Sequence, residues 1–171
     1  MERKTIGILA ALALGLLLTG GVALAKFVAC TGGKCVGTES SDTIQGLDSR
    51  STRDEIFGLG SRDNIFANAG DDTVNGNSGD DEIGGGAGGD TLSGNGGNDS
   101  IIGDTGQDKM FGGGGNDRVS GIDDPLGRFP AERDEIDCGE NPDGSADNDF
   151  ASVDRLDTVK NCEQVARSQS Q

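Results

Sequence analysis

Large aliphatic residues are sparse in the middle of this chain and fall at a fixed interval. Ile56, Ile65, Val74, Ile83, Leu92, Ile101, Met110 and Val119 stand nine residues apart, and an aspartate precedes each by two positions: Asp54, Asp63, Asp72, Asp81, Asp90, Asp99, Asp108 and Asp117. One carboxylate ladder and one apolar ladder therefore run in step. A short fixed period of this kind marks a solenoid, whose rungs can bury their apolar side only against one another. Within a rung, Asp-x-apolar-x predicts a very short strand with one side chain inward and its neighbours towards water, and the six residues up to the Asp predict a turn.

In phase, Gly58 to Ser120 reads GLGSRDNIF, ANAGDDTVN, GNSGDDEIG, GGAGGDTLS, GNGGNDSII, GDTGQDKMF and GGGGNDRVS, without insertion. Positions one and four are each Gly in six of the seven copies, and position six is always Asp. Glycine's easy access to positive φ suits such turns. The pattern resembles the RTX (repeats-in-toxin, hemolysin-type) family, whose consensus is G-G-x-G-x-D-x-U-x with U a large apolar residue.

That resemblance implies an all-β fold, a parallel β-roll in which two nonapeptides complete one turn. Asp54, Asp72, Asp90 and Asp108 would then form one column and Asp63, Asp81, Asp99 and Asp117 the other. Stacked carboxylates about 4.8 Å apart would repel by about 0.9 kcal/mol even in water. A cation between consecutive loops removes that cost. The resemblance names it as calcium, up to about six Ca2+, held by successive Asp pairs of a column and by backbone carbonyls near Gly76, Gly79, Gly85, Gly86, Gly88, Gly94, Gly97, Gly103, Gly106, Gly112 and Gly115. Calcium accepts six to eight oxygens in flexible geometry, whereas magnesium demands near-octahedral order. Ser61 at position four, Arg62 beside Asp63 and Ala67 at position one depart from the pattern and mark the Asp63–Asp81 site as the weakest. Upstream, Asp42-Thr43-Ile44 repeats the triplet as a first rung without a full metal loop.

Charge and composition agree with a cation partner. The 171-residue chain carries a formal charge of −16, which argues against nucleic acid, where phosphates call for basic patches. With no His, neither an H-E-x-x-H zinc site nor a Ser-His-Asp triad can be built, and with no Trp or Tyr a sugar has little to stack on. The expected function is therefore that of a secreted, non-enzymatic calcium-binding protein. The alternative is a cell-surface or matrix adhesive or structural module rigidified by calcium. No ligand face marks a protein or glycan partner.

Residues 1–25 read as an export signal, with Arg3 and Lys4 before the apolar Ile6 to Leu18 and Ala23-Leu24-Ala25 as a cleavage site. Cleavage after Ala25 is expected over an uncleaved anchor, and Lys26 and Phe27 disfavour lipidation at Cys30. After removal no membrane span would remain. The four cysteines lie outside the repeats, which in an exported chain points to disulfides rather than zinc. A roll would hold the two ends of the array roughly 20 Å apart, beyond the ~7 Å Cα separation a disulfide allows, so Cys30–Cys35 and Cys138–Cys162 are the expected pairs. The resulting plan is a signal (1–25), an N-terminal cap with degenerate rungs (26–57), the nonapeptide roll (58–121), a C-terminal cap with long loops (122–165) and a disordered tail (166–171). Asp134-Glu135-Ile136 and Asp157-Thr158-Val159 are further rungs of that cap, and residues from Gln164 onward are left without structure.

Overall fold

The computed structural model describes residues 26–31, 33–48, 52–123, 131–144 and 147–168. The export signal and residues 169–171 of the expected tail lie outside them. The described residues form short strands only: β1 (Phe27–Ala29), β2 (Lys34–Val36), β3 (Thr43–Gln45), β4 (Glu55–Gly60), β5 (Asn64–Ala69), β6 (Thr73–Ser78), β7 (Glu82–Ala87), β8 (Thr91–Gly96), β9 (Ser100–Thr105), β10 (Lys109–Gly114), β11 (Arg118–Gly121), β12 (Glu135–Asp137), β13 (Phe150–Val153), β14 (Thr158–Lys160) and β15 (Gln164–Arg167). Odd strands pair in order in one parallel sheet and even strands in the other. The chain thus winds as a parallel β-solenoid that visits both sheets once per turn.

Register follows from the period. Ile83 pairs with Ile101 and Val74 with Leu92, eighteen residues on, so every apolar side chain lands on its counterpart two repeats away. Ile44, Ile56, Ile65, Ile83, Leu92, Ile101, Met110 and Ile136 are all at most 1% exposed and fill the space between the sheets. Position one is the second inward position of each strand. It is Gly or Ala because the carbonyl of the next turn and a carboxylate already lie where a larger side chain would go; Gly58 is an example, with Gly76 O and Asp63 Oδ2 in that space.

The strands are longer than the repeat predicts. Positions one to three, expected to belong to the turn, continue the ladder, as in Glu82–Ala87, where Gly86 and Ala87 pair with Asp104 and Thr105. Only positions four to six turn the corner. Position two carries a positive φ in every copy, at Leu59, Asn68, Asn77, Gly86, Asn95, Asp104 and Gly113. Asn and Asp are the residues after Gly that tolerate this conformation best, so the kink is absorbed without breaking the ladder.

Both ends are covered by irregular rungs. Cys30–Cys35 joins the segments just after β1 and within β2, with Cα atoms 5.6 Å apart, and Cys138–Cys162 joins the neighbouring ends of β12 and β14, at 5.2 Å. The anticipated rungs at Ile136 and Val159 are present. Two more were not anticipated. β13 carries the small Ala151 at its inward position, and β15 opens on Glu163 instead of Asp, so neither showed the repeat signature. Gln164–Arg167, expected to be disordered, pairs with Phe150–Val153 because the Glu163 carboxylate takes the place of the aspartate and accepts the Asp149 N–H at 2.8 Å.

The Cys138–Cys162 bond closes a loop of 24 residues, a constraint worth about 3 kcal/mol in the unfolded chain. Replacing both with Ser should lower stability by about that amount. Urea unfolding measures it, and an unchanged midpoint would show that β12–β15 is an appendage rather than a cap.

Candidate metal centre

Each turn is set by its backbone before any side chain acts. At position four Gly70, Gly79, Gly88, Gly97, Gly106 and Gly115 hold φ between 129° and 142°, and a Cβ on any of them would run into a carbonyl of the preceding turn. Gly is thus required twice, by conformation and by stacking. Ser61 is tolerated because its φ of 69° lies in the left-handed region and its Oγ caps the Glu39 carbonyl at 3.1 Å. Position five faces outward: Arg62, expected to disturb Asp63, instead donates from Nε to the Asp80 carbonyl at 2.9 Å and faces the Asp80 carboxylate.

The turn delivers position six to the interior. All eight repeat aspartates are at most 2% exposed. In the even-sheet column Oδ1 of Asp72, Asp90 and Asp108 accepts the backbone N–H of Asp54, Asp72 and Asp90 at 2.7–2.8 Å. In the other column Asp81, Asp99 and Asp117 do the same for Asp63, Asp81 and Asp99 at 2.8 Å. Each carboxylate therefore fixes the turn below it with one oxygen. The second oxygen is left over: Oδ2 of Asp63, Asp72, Asp81, Asp90, Asp99, Asp108 and Asp117 is buried without a hydrogen-bond partner.

The columns run past the repeats. Asp134 and Asp149 receive the N–H groups of Asp108 and Asp117 at 2.9 and 2.7 Å, and their Oδ2 atoms are also unpartnered. Asp157 and Glu163 then end the columns. Asp108 and Asp117 are thus interior members rather than ends. At the opposite end, Asp54 has both oxygens occupied, by the N–H groups of Gly33 at 3.2 Å and Leu47 at 2.8 Å, and Asp42 is likewise satisfied by Lys26 and Thr38. Sequence reasoning marked Asp134 as a rung but not as a site residue, and missed Asp149 because an insertion breaks the nine-residue phase before it.

Oxygen is the common chemistry of these gaps. A Cβ built on Gly85 would lie 2.6 Å from Asp90 Oδ2 and 2.8 Å from the Gly103 carbonyl, so the free carboxylate oxygen and a carbonyl of the next turn converge on one point. Gly58, Gly76 and Gly112 leave the same opening beside Asp63, Asp81 and Asp117. Ala67, in the loop of Asp72, carries the Cβ the others omit. An all-oxygen donor set with one negative charge per loop suits a hard cation.

Burial makes these carboxylates reluctant to ionise alone. It lifts Asp108 to about 8, Asp99 and Asp134 to about 7, and Asp63, Asp90 and Asp117 to about 6, with the accepted backbone N–H opposing the shift and the neighbouring carboxylates adding to it. The columns thus hold a charge problem that a cation or a proton can relieve.

The family model for the RTX calcium-binding nonapeptide repeat, in four copies, matches residues 50–83 and 84–119. These are RTX calcium-binding repeats. No curated protein and no solved structure matches the chain. The RTX segment covers the stacked loops from Asp54 to Asp117, while Asp134, Asp149 and Glu163 continue the same hydrogen-bond ladder outside it.

Two outcomes follow. Gly85→Ala should raise the calcium concentration needed for folding by placing a methyl against Asp90 Oδ2, an overpacking cost of about 1–3 kcal/mol; Gly84→Ala, whose methyl meets Phe66 at 3.5 Å and the Ile65 carbonyl at 4.0 Å, both ordinary contacts, is the control. Calcium titrations followed by circular dichroism compare them. In chelator, pKa values raised from 3.8 mean that the fold takes up protons the unfolded chain releases, so stability should fall as pH rises from about 4 to 8. A higher urea midpoint at pH 8 than at pH 5 would contradict this.

Proposed function

We propose that this protein is a non-catalytic calcium binder whose RTX roll folds around ions stacked in two columns. The observation that carries this reading is the row of buried, unpartnered Asp Oδ2 atoms at the spacing of adjacent turns. Successive pairs supply the sites: Asp72 with Asp90, Asp90 with Asp108, Asp63 with Asp81, Asp81 with Asp99, and Asp99 with Asp117 each offer a free oxygen from both members. Carbonyls of the glycine loops complete each shell. In the Asp54–Asp72 gap both oxygens of Asp54 already accept backbone N–H groups, so this gap offers one free oxygen where the others offer two and is the weaker for it.

Calcium supplies positive charge and accepts oxygens that the fold leaves without donors. The residues do the rest: Oδ1 holds the turn below, Oδ2 points at the gap, and glycine lets successive loops approach. One modest aliphatic side chain per nine residues buries too little area to offset ordering a glycine-rich backbone, at about 1–2 kcal/mol per residue. Ion binding would make up the difference. RTX repeats form structural calcium modules, and two disulfides fit an extracellular location, in keeping with the expected export signal. Among the described residues no helix is long and apolar enough to cross a membrane.

Excess chelator at pH 8 should therefore abolish most of the β signal in circular dichroism, and calcium should restore it. Retention of the full signal without calcium would overturn the proposal.

A further inference from the structure

The gap that ends the odd-sheet column is built differently from those within the repeats. In each nonapeptide of the 67–120 array the residue two before the aspartate is glycine; two before Asp149 it is Asp147. Above Asp149, where the next rung would present an aspartate, stands Glu163. One carboxylate oxygen from each of Asp147, Asp149 and Glu163 lies within 4.8 Å of the other two. Asp149 is fully buried and its Oδ2 has no hydrogen-bond partner, whereas its Oδ1 is taken by the Asp117 N–H. Glu163 Oε2 accepts the Asp149 N–H at 2.8 Å and Asp147 Oδ2 the Asn141 N–H at 3.2 Å, contacts that hold both side chains in place. Among the described residues no Lys or Arg forms an ion pair with any of the three.

We propose that Asp147, Asp149 and Glu163 form a separate calcium site at the C-terminal end of the roll, in which side-chain carboxylates replace the glycine-loop carbonyls of the repeats. Three carboxylates within 4.8 Å of one another, one of them buried with an unpartnered oxygen, call for a divalent cation with oxygen preference, and affinity at such sites rises with ligand charge. The ion would tie β13 to β15, the last strand of its sheet, which presents Val165 to solvent at 42% exposure. The Cys138–Cys162 bond belongs to the same device, since Cys162 directly precedes Glu163 and fixes where it can reach. The choice of calcium rests on the RTX reading; the existence of a cation site does not.

Native mass spectrometry of the calcium-saturated protein, combined with amide hydrogen exchange, tests the proposal. Asp147→Asn and Glu163→Gln keep an acceptor oxygen for their N–H partners and remove charge. Each should lower the saturating count by one ion and abolish calcium-dependent protection of Gln164–Arg167, while protection of β5 to β10 is unchanged. An unchanged count with unchanged protection at β15 in both variants would overturn the site. Asp90→Asn separates this result from the RTX reading: loss of ions there with none lost in the two variants refutes only the end site, and loss in the two variants with none at Asp90 supports the end site while refuting the stacked repeat sites.

Discussion

The constraint on which everything else depends is that a carboxylate is buried at every turn of both columns, one strand spacing from the next. Its Oδ1 ties down the turn below, as Asp90 does for Asp72 at 2.8 Å, so the aspartate cannot be dispensed with structurally. Between the two ends, from Asp63 to Asp149, its Oδ2 has no hydrogen-bond partner. A hydrogen-bond acceptor buried without a donor costs about 1–3 kcal/mol, more when charged, and here the cost recurs at nine aspartates between the two ends. On the reading proposed above, the fold is conditional on something that answers those oxygens.

Glycine is the other half of the same arrangement. Position four is Gly in every copy but that of Ser61 because a φ near +135° and the carbonyl stacked against it both exclude a side chain, and position one must be small because Oδ2 and a carbonyl meet there. The composition that denies the molecule a conventional core is what brings carboxylate and carbonyl oxygens of adjacent turns together. The inner aliphatic ladder sets register, since each Ile, Leu, Val or Met pairs with its counterpart one turn away, and it fills the space between the sheets beside the position-one glycines, as Ile65 does at Gly58 and Leu92 at Gly85.

The ends show how the repeat is terminated. At the N-terminal end protein donors occupy the carboxylate oxygens: Gly33 and Leu47 satisfy Asp54, and Lys26 and Thr38 satisfy Asp42. At the C-terminal end Asp157 closes one column by also accepting the Asp154 N–H at 2.6 Å, whereas the other ends on the acidic group around Asp149. Each end also carries a disulfide, which holds rungs too short to stay paired on their own strand hydrogen bonds.

Much of this was legible in the chain itself. An uninterrupted period of nine carries the solenoid, the two columns, the stacking of Ile83 on Ile101 and the choice of Asp as the oxygen donor, because in a repeat each residue's environment is a copy of the last. The pairing of cysteines followed from the length of the array. Where the period breaks, that inference stops. Asp149 is 32 residues beyond Asp117 and Glu163 a further 14, and only the winding of the chain puts them in one column. Tertiary structure also decided that Arg62 turns away from Asp63 and that Asp54 is already satisfied, since both depend on what the adjacent turn presents, a partner many residues away that local sequence does not specify.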